Sequence, residues 1–192
     1  MYQETTKSRA GEIIRGLVPD GPYMQMIKVE AGDLDSRIGF MIDEIEQGIQ
    51  DVDIQNLTSK ILKSYNVKNR DWTGQAQAVF EWVRDNIRYV RDPAGLEQFR
   101  KPIRTVQQGM GDCDDMTILI CSLLGTIGLN CIIRVIGVSS DEPEHVYPLV
   151  LVPPVNPTGA IALDATRPEP MGFEVHKNKI KFLQDYDPNL EE

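Results

Sequence analysis

Apolar residues recur at helical spacing through the first two thirds of the chain. From Asp33 they fall at every third or fourth position, and a second helical segment follows from Ile54 to Tyr65. The next helical pattern runs from Asp71 to Val90, and a more apolar one covers residues 112 to 127. The pattern therefore predicts a series of helices, with only a short turn near Pro102.

After the last of these helices the pattern changes to short runs of β-branched and apolar residues. The runs lie at Cys131 to Val138, His145 to Val152 and Ala160 to Ala165, and polar or proline-rich turns separate them. Helices followed by strands in tight succession are typical of an α+β fold. We therefore expect an antiparallel sheet packed on the helix of residues 112 to 127.

The two ends of the chain differ from this central part. Residues 1 to 30 are polar and interrupted by glycine and proline, with one short strand pattern from Tyr23 to Val29. We expect residues 1 to 70 to form an N-terminal extension that is largely helical from about residue 33. Residues 71 to 170 would form the core and 171 to 192 a polar tail. The first 30 residues are then an arm, either flexible or ordered by a protein partner.

Charge and composition exclude several classes of protein. The net charge of −9 argues against a basic surface for nucleic acid. No apolar run approaches the length of about 20 residues that a membrane helix needs. Three cysteines without a secretory signal favour reduced thiols in a cytoplasm over a disulfide framework. Zinc spacings and the EF-hand loop are absent, so we expect no metal and no cofactor.

Cys113 stands at the start of the most apolar helix. Asp112 before it is a good N-cap, because its carboxylate can accept a hydrogen bond from a first-turn N–H group. The positive end of the helix dipole would then favour the thiolate, which is the nucleophilic form of cysteine. The alternative interpretation is a buried thiol that packs as a small apolar group, with Asp114 and Asp115 present for capping alone.

His145 and Asp164 are the polar residues that complete a candidate site. His145 opens the second strand, and Asp164 lies at the end of the third. Antiparallel neighbours bring the start of one strand beside the end of the next, so these side chains can meet near the helix start. Cys113 would be the nucleophile, His145 the base and Asp164 the orienting carboxylate. Alternatively, His145 merely begins a strand and Asp164 belongs to a turn; His176, in the tail, is expected to be solvated.

The sequence resembles the transglutaminase-like superfamily of cysteine enzymes between about Ala76 and Arg167. That family commonly shows a G-D-C box, a histidine followed one residue later by an aromatic residue, and an aspartate followed by x-Thr. The matching segments here are Val79 to Tyr89, Gly111 to Asp115, the helix ending at Gly128, the strand containing Arg134, His145 to Tyr147, and Leu163 to Thr166. All three boxes occur in order.

The resemblance implies a papain-like fold in which the cysteine-bearing helix packs on an antiparallel sheet bearing the histidine and the aspartate. Tyr147 stands where many relatives have tryptophan, and the flanking domains of animal transglutaminases are missing. Both differences favour a compact bacterial or phage member over a protein-crosslinking enzyme. Its cellular place would be the bacterial cytoplasm, that of the host if phage-encoded, or the virion.

The expected activity is acyl transfer from amide or peptide bonds, as a peptidase, an amidase or a transglutaminase-like enzyme. The backbone N–H group of Cys113 is one donor for an oxyanion hole, and Gln107, Gln108 or Tyr89 could supply a second. The substrate would be a protein or peptide. The alternative is a non-catalytic structural or interaction protein, for example a virion component that kept the fold, with residues 1 to about 70 binding a partner.

Overall fold

The computed structural model describes residues 34–91 and 99–188 of the chain. The expected strand at Tyr23 to Val29 and the N-terminal arm lie outside the described residues. The elements, in chain order, are α1 (Leu34–Gln50), α2 (Val52–Ser64), α3 (Trp72–Asn86), β1 (Arg88–Tyr89), α4 (Pro102–Gln108), β2 (Met110–Gly111), α5 (Cys113–Gly125), β3 (Cys131–Gly137), β4 (His145–Val152), β5 (Gly159–Ala162), a 3-10 turn (Lys177–Lys179) and β6 (Phe182–Tyr186).

Helix α5 lies at the centre of the core. Every residue from Asp114 to Leu124 is buried, which is the environment of a helix that is apolar on most sides. Helices α1 to α4 pack around it, and the sheet covers another side. The α1 contact is close, because a Cβ atom at Gly48 would lie 2.4 Å from Ser122 Oγ. Glycine at this position therefore allows α1 to approach α5, although it interrupts the apolar pattern of α1.

The sheet is antiparallel and has the strand order β5-β4-β3-β6. Side chains alternate between its two faces. Ile133, Val146 and Val150 belong to the core shared with α5, whereas Tyr147 and Leu149 belong to a smaller apolar cluster. The α+β fold with its cysteine-bearing helix packed on an antiparallel sheet is therefore confirmed.

Three segments differ from the expected elements, and two of them depend on strand pairings distant in sequence. The third helix ends at Asn86, and residues 88–89 instead pair in parallel with β2. The expected turn near Pro102 is helix α4, which begins with a proline in its first turn and ends at left-handed Gly109. The C-terminal region contains β6, which the sequence pattern did not predict and which forms an edge strand on β3.

Helices α1 and α2 contribute to the same apolar core as α5. Ile38, Met41 and Ile45 of α1 and Ile54, Leu57 and Ile61 of α2 are all buried in it. In the described part of the chain, no helix combines the length and the apolar character that crossing a membrane requires.

Candidate active site

Cys113 is the first residue of α5, and the helix start is held by two reciprocal hydrogen bonds. The Asp115 N–H group donates to Asp112 Oδ1 at 3.1 Å, and the Asp112 N–H group donates to Asp115 Oδ2 at 3.3 Å. This capping box confirms Asp112 as the N-cap and fixes the backbone on both sides of the thiol. The backbone N–H group of Cys113 belongs to the first helical turn, where N–H groups lack helical partners.

His145 and Asp164 are brought together by the register of β4 and β5. Leu149 of β4 pairs with Ala162 of β5 in antiparallel register. The start of β4, which carries His145, therefore lies on the same side as the residues that follow β5, which include Asp164. His145 Nε2 lies 2.8 Å from Asp164 Oδ2. An ionised carboxylate only accepts hydrogen bonds, so Nε2 carries a proton, and in the neutral imidazole Nδ1 is then the basic nitrogen.

Thr166 holds the other side of the Asp164 carboxylate. Its hydroxyl donates to Asp164 Oδ1 at 2.6 Å and its backbone N–H group donates to the same oxygen at 3.2 Å. Burial raises the pKa of Asp164, but the hydrogen bonds from His145 and Thr166 outweigh that effect and leave the pKa below its ordinary value. Asp164 is therefore ionised at neutral pH, as an orienting carboxylate must be.

The thiol of Cys113 faces the start of β4. The backbone N–H group of Val146, the residue next to His145, is near enough to the sulfur to lower the pKa of the Cys113 thiol. One helical turn further on, the Thr117 hydroxyl donates to the Val146 carbonyl oxygen at 3.4 Å. These two contacts show that the first turns of α5 pack against β4, the strand that begins with His145.

The surroundings of Cys113 favour the neutral thiol. Burial and the charges of Asp114 and Asp112 raise the pKa of Cys113 well above its ordinary value, and the Val146 N–H group offsets only part of this. Asp114 Oδ1 lies 3.7 Å from the sulfur and accepts a weak hydrogen bond from it. The direction of this pKa shift is opposite to the one expected from the helix start, because desolvation and two adjacent carboxylates disfavour the thiolate.

Two arginines contact the acidic residues that follow Cys113, and no pattern in the sequence pointed to either. Arg37 Nη2 on α1 lies 3.4 Å from Asp114 Oδ2. Arg100 pairs with Asp115 through its guanidinium and through its backbone N–H group, which donates at 2.9 Å. Burial raises the pKa of Asp115 to about 6 although Arg100 opposes the shift. Thr166, by contrast, was present in the x-Thr box of the sequence.

The three candidate oxyanion donors are placed differently. Tyr89 pairs with Gly111 beside the helix start, and burial together with the nearby Cys113 raises the pKa of its hydroxyl. Gln107 accepts a hydrogen bond from Arg104 within α4 at 2.7 Å, and Gln108 is exposed. Among the described hydrogen bonds, none joins either glutamine to Cys113. None joins Tyr89 to Cys113 either, so the second oxyanion donor stays a prediction for all three residues.

The other two thiols are deeply buried, so brief alkylation is expected to label Cys113 alone. Cys121 and Cys131 are 3% and 5% exposed, whereas Cys113 is half-buried. Mass spectrometry after a short iodoacetamide pulse at pH 8 would identify the labelled residue. The same pulse in denaturant should label all three thiols. Equal labelling of Cys121 or Cys131 in the folded protein would contradict this prediction.

In the described residues, no group of histidine, cysteine and carboxylate side chains is arranged to hold a metal ion. The start of α5 carries the Cys113 thiol beside the first residues of β4, and His145 at the start of that strand is hydrogen-bonded to the Asp164 carboxylate.

Residues 59–160 match the sequence model of the Transglutaminase-like superfamily. The match covers just over half of the chain and includes Cys113 and His145, so the chain belongs to this superfamily. Asp164 and helix α1 lie outside the matched range. No curated protein matches the sequence.

The solved structures that resemble the chain include two whose names describe them as proteases. A "putative protease" from Parabacteroides distasonis aligns with a TM-score of 0.50 at 7% identity, over 68% of this chain and 26% of that one. A "putative cysteine protease" from Cytophaga hutchinsonii aligns with a TM-score of 0.45 at 16% identity, over 81% of this chain and 48% of that one. The chain spans about a quarter of the first structure and about half of the second. The first likeness shows a shared fold.

Proposed function

We propose that this protein is a cysteine-dependent acyl-transfer enzyme that acts on amide bonds of proteins or peptides. Cys113 is the nucleophile, His145 the general base and Asp164 the residue that orients the imidazole. The observation that carries the proposal is the 2.8 Å contact between His145 Nε2 and Asp164 Oδ2. In the neutral imidazole it leaves Nδ1 as the basic nitrogen, on the strand whose next residue, Val146, lies near the Cys113 sulfur.

The first step follows from the neutral thiol. His145 Nδ1 takes the thiol proton as the sulfur attacks the carbonyl carbon, so the thiolate need not exist before substrate binds. Asp164 stabilises the imidazolium that forms. The oxyanion is stabilised by the Cys113 N–H group, with the Tyr89 hydroxyl as the proposed second donor.

The second step releases the amine and then the acyl group. His145 returns its proton to the leaving nitrogen, and the thioester remains on Cys113. Water, activated by the same imidazole, then attacks the thioester carbonyl and regenerates the thiol. Hydrolysis is the favoured outcome because water is always available, whereas transamidation requires an amine that reaches the thioester first.

A diverse peptide library tests the proposal without requiring that the substrate be identified first. The parent protein and Cys113→Ala are incubated with the library, with and without methylamine, and the products are identified by mass spectrometry. New peptide termini indicate a peptidase, conversion of glutamine to glutamate an amidase, and methylamine adducts a transamidase. We expect products that depend on Cys113.

The matched control is Cys121→Ala, which removes a buried thiol from the same helix and should leave the products unchanged. A parent protein whose products equal those of Cys113→Ala would overturn the proposal. The non-catalytic alternative, a structural protein that kept this fold, would then be the better interpretation.

A further inference from the structure

The Asp114 carboxylate connects the candidate nucleophile with helix α1. Its Oδ1 atom lies 3.7 Å from Cys113 Sγ, and its Oδ2 atom lies 3.4 Å from Arg37 Nη2. The Asp114 side chain is 7% exposed and that of Arg37 is 26% exposed, so water screens this chain of contacts only in part. Residue 37 precedes the range matched by the superfamily.

We propose that Arg37 is a positioning residue for Cys113: through Asp114 it offsets the negative charge that opposes removal of the thiol proton. This inference rests on the proposed role of Cys113 as the nucleophile. As the sulfur gains negative charge, its repulsion from the Asp114 carboxylate grows. A guanidinium on the far oxygen of the same carboxylate reduces that repulsion and holds the carboxylate in place.

Titratable groups other than Asp114 also lie near the sulfur. Asp112 lies on the N-terminal side of the thiol, Tyr89 lies near it on β1, and His145, paired with Asp164, stands next to Val146 on β4. Asp115 is directed away from this group, to Arg100. Replacing Arg37 leaves all of these groups in place, so its effect can be separated from theirs.

The test is the pH profile of Cys113 alkylation by iodoacetamide. In Arg37→Gln we expect the midpoint to rise by about half a pH unit, which is about threefold slower alkylation below the midpoint. Arg37→Lys keeps the charge and should restore most of the parent profile. Lys60→Gln removes one positive charge from the exposed face of α2 and should leave the midpoint unchanged.

A double-mutant cycle shows whether Arg37 acts through Asp114. Asp114→Asn alone should lower the midpoint, and Arg37→Gln should have little further effect in that background. An unchanged midpoint in Arg37→Gln, or an equal shift in both backgrounds, would overturn the inference.

Alkylation needs no substrate, so its outcome is separate from that of the peptide library. A shifted midpoint without Cys113-dependent products would contradict the proposed function alone. Cys113-dependent products with an unshifted midpoint would contradict the role of Arg37 alone.

Discussion

Replacing His145 by alanine is expected to lower kcat/KM on a peptide substrate about a thousandfold. The Cys113 thiol is neutral in its surroundings, because burial and two carboxylates raise its pKa, so attack requires a base that accepts the proton. Without the imidazole, Asp114 is the described side chain that accepts a hydrogen bond from the thiol, and a carboxylate is ordinarily a much weaker base than imidazole. The measurement is steady-state hydrolysis of a peptide identified from the library, at pH 7 to 8.

Two variants around His145 separate proton transfer from orientation. Asp164→Asn should have a smaller effect than His145→Ala, because the base remains and only its orientation and stabilisation change. Thr166→Val removes one hydrogen bond to Asp164 Oδ1 and should lower kcat/KM by less than tenfold. A His145→Ala variant that stays within threefold of the parent, with an unchanged thermal melt, would show that another group is the base.

Replacing Asp115 by alanine is expected to lower the free energy of unfolding by about 3–5 kcal/mol. The Asp115 side chain is fully buried and accepts hydrogen bonds from the Arg100 guanidinium, the Arg100 N–H group and the Asp112 N–H group. Alanine leaves a largely buried guanidinium and two backbone donors without this acceptor. Urea unfolding at pH 7, above the Asp115 pKa of about 6, measures the change.

The matched control for Asp115→Ala is Asp85→Ala on α3. Asp85 pairs with Arg84 at 3.5 Å, but its side chain is 59% exposed, so the change should stay below about 0.5 kcal/mol. A similar loss of stability in both variants would mean that the buried pair at the start of α5 contributes no more than a surface contact.

Much of the fold follows from local patterns in the sequence. The helical period over residues 112–127 and the β-branched run of β3 each report which side chains are buried, and this information lies within one element. The parallel pair of β1 and β2 joins residues 88–89 to residues 110–111, and β6 joins β3 across most of the C-terminal region. Such pairings depend on distant partners, which is why short segments without a strong pattern were not predicted as strands.

In the candidate site, too, some features follow from local sequence and others depend on residues that are distant in the chain. The sequence by itself determined the order of the reactive groups and the cap at Asp112, because a helix start and a strand start are local features. Asp112 and Asp114 flank Cys113 in the sequence, so the negative charge beside the thiol is local, whereas the arginines that pair with the acidic residues are placed by the tertiary structure. Arg37 is 77 residues from Asp114 and Arg100 is 15 residues from Asp115, and no local pattern connects them. Desolvation of Cys113 is likewise a result of packing, so the direction of its pKa shift could be found only in the folded chain.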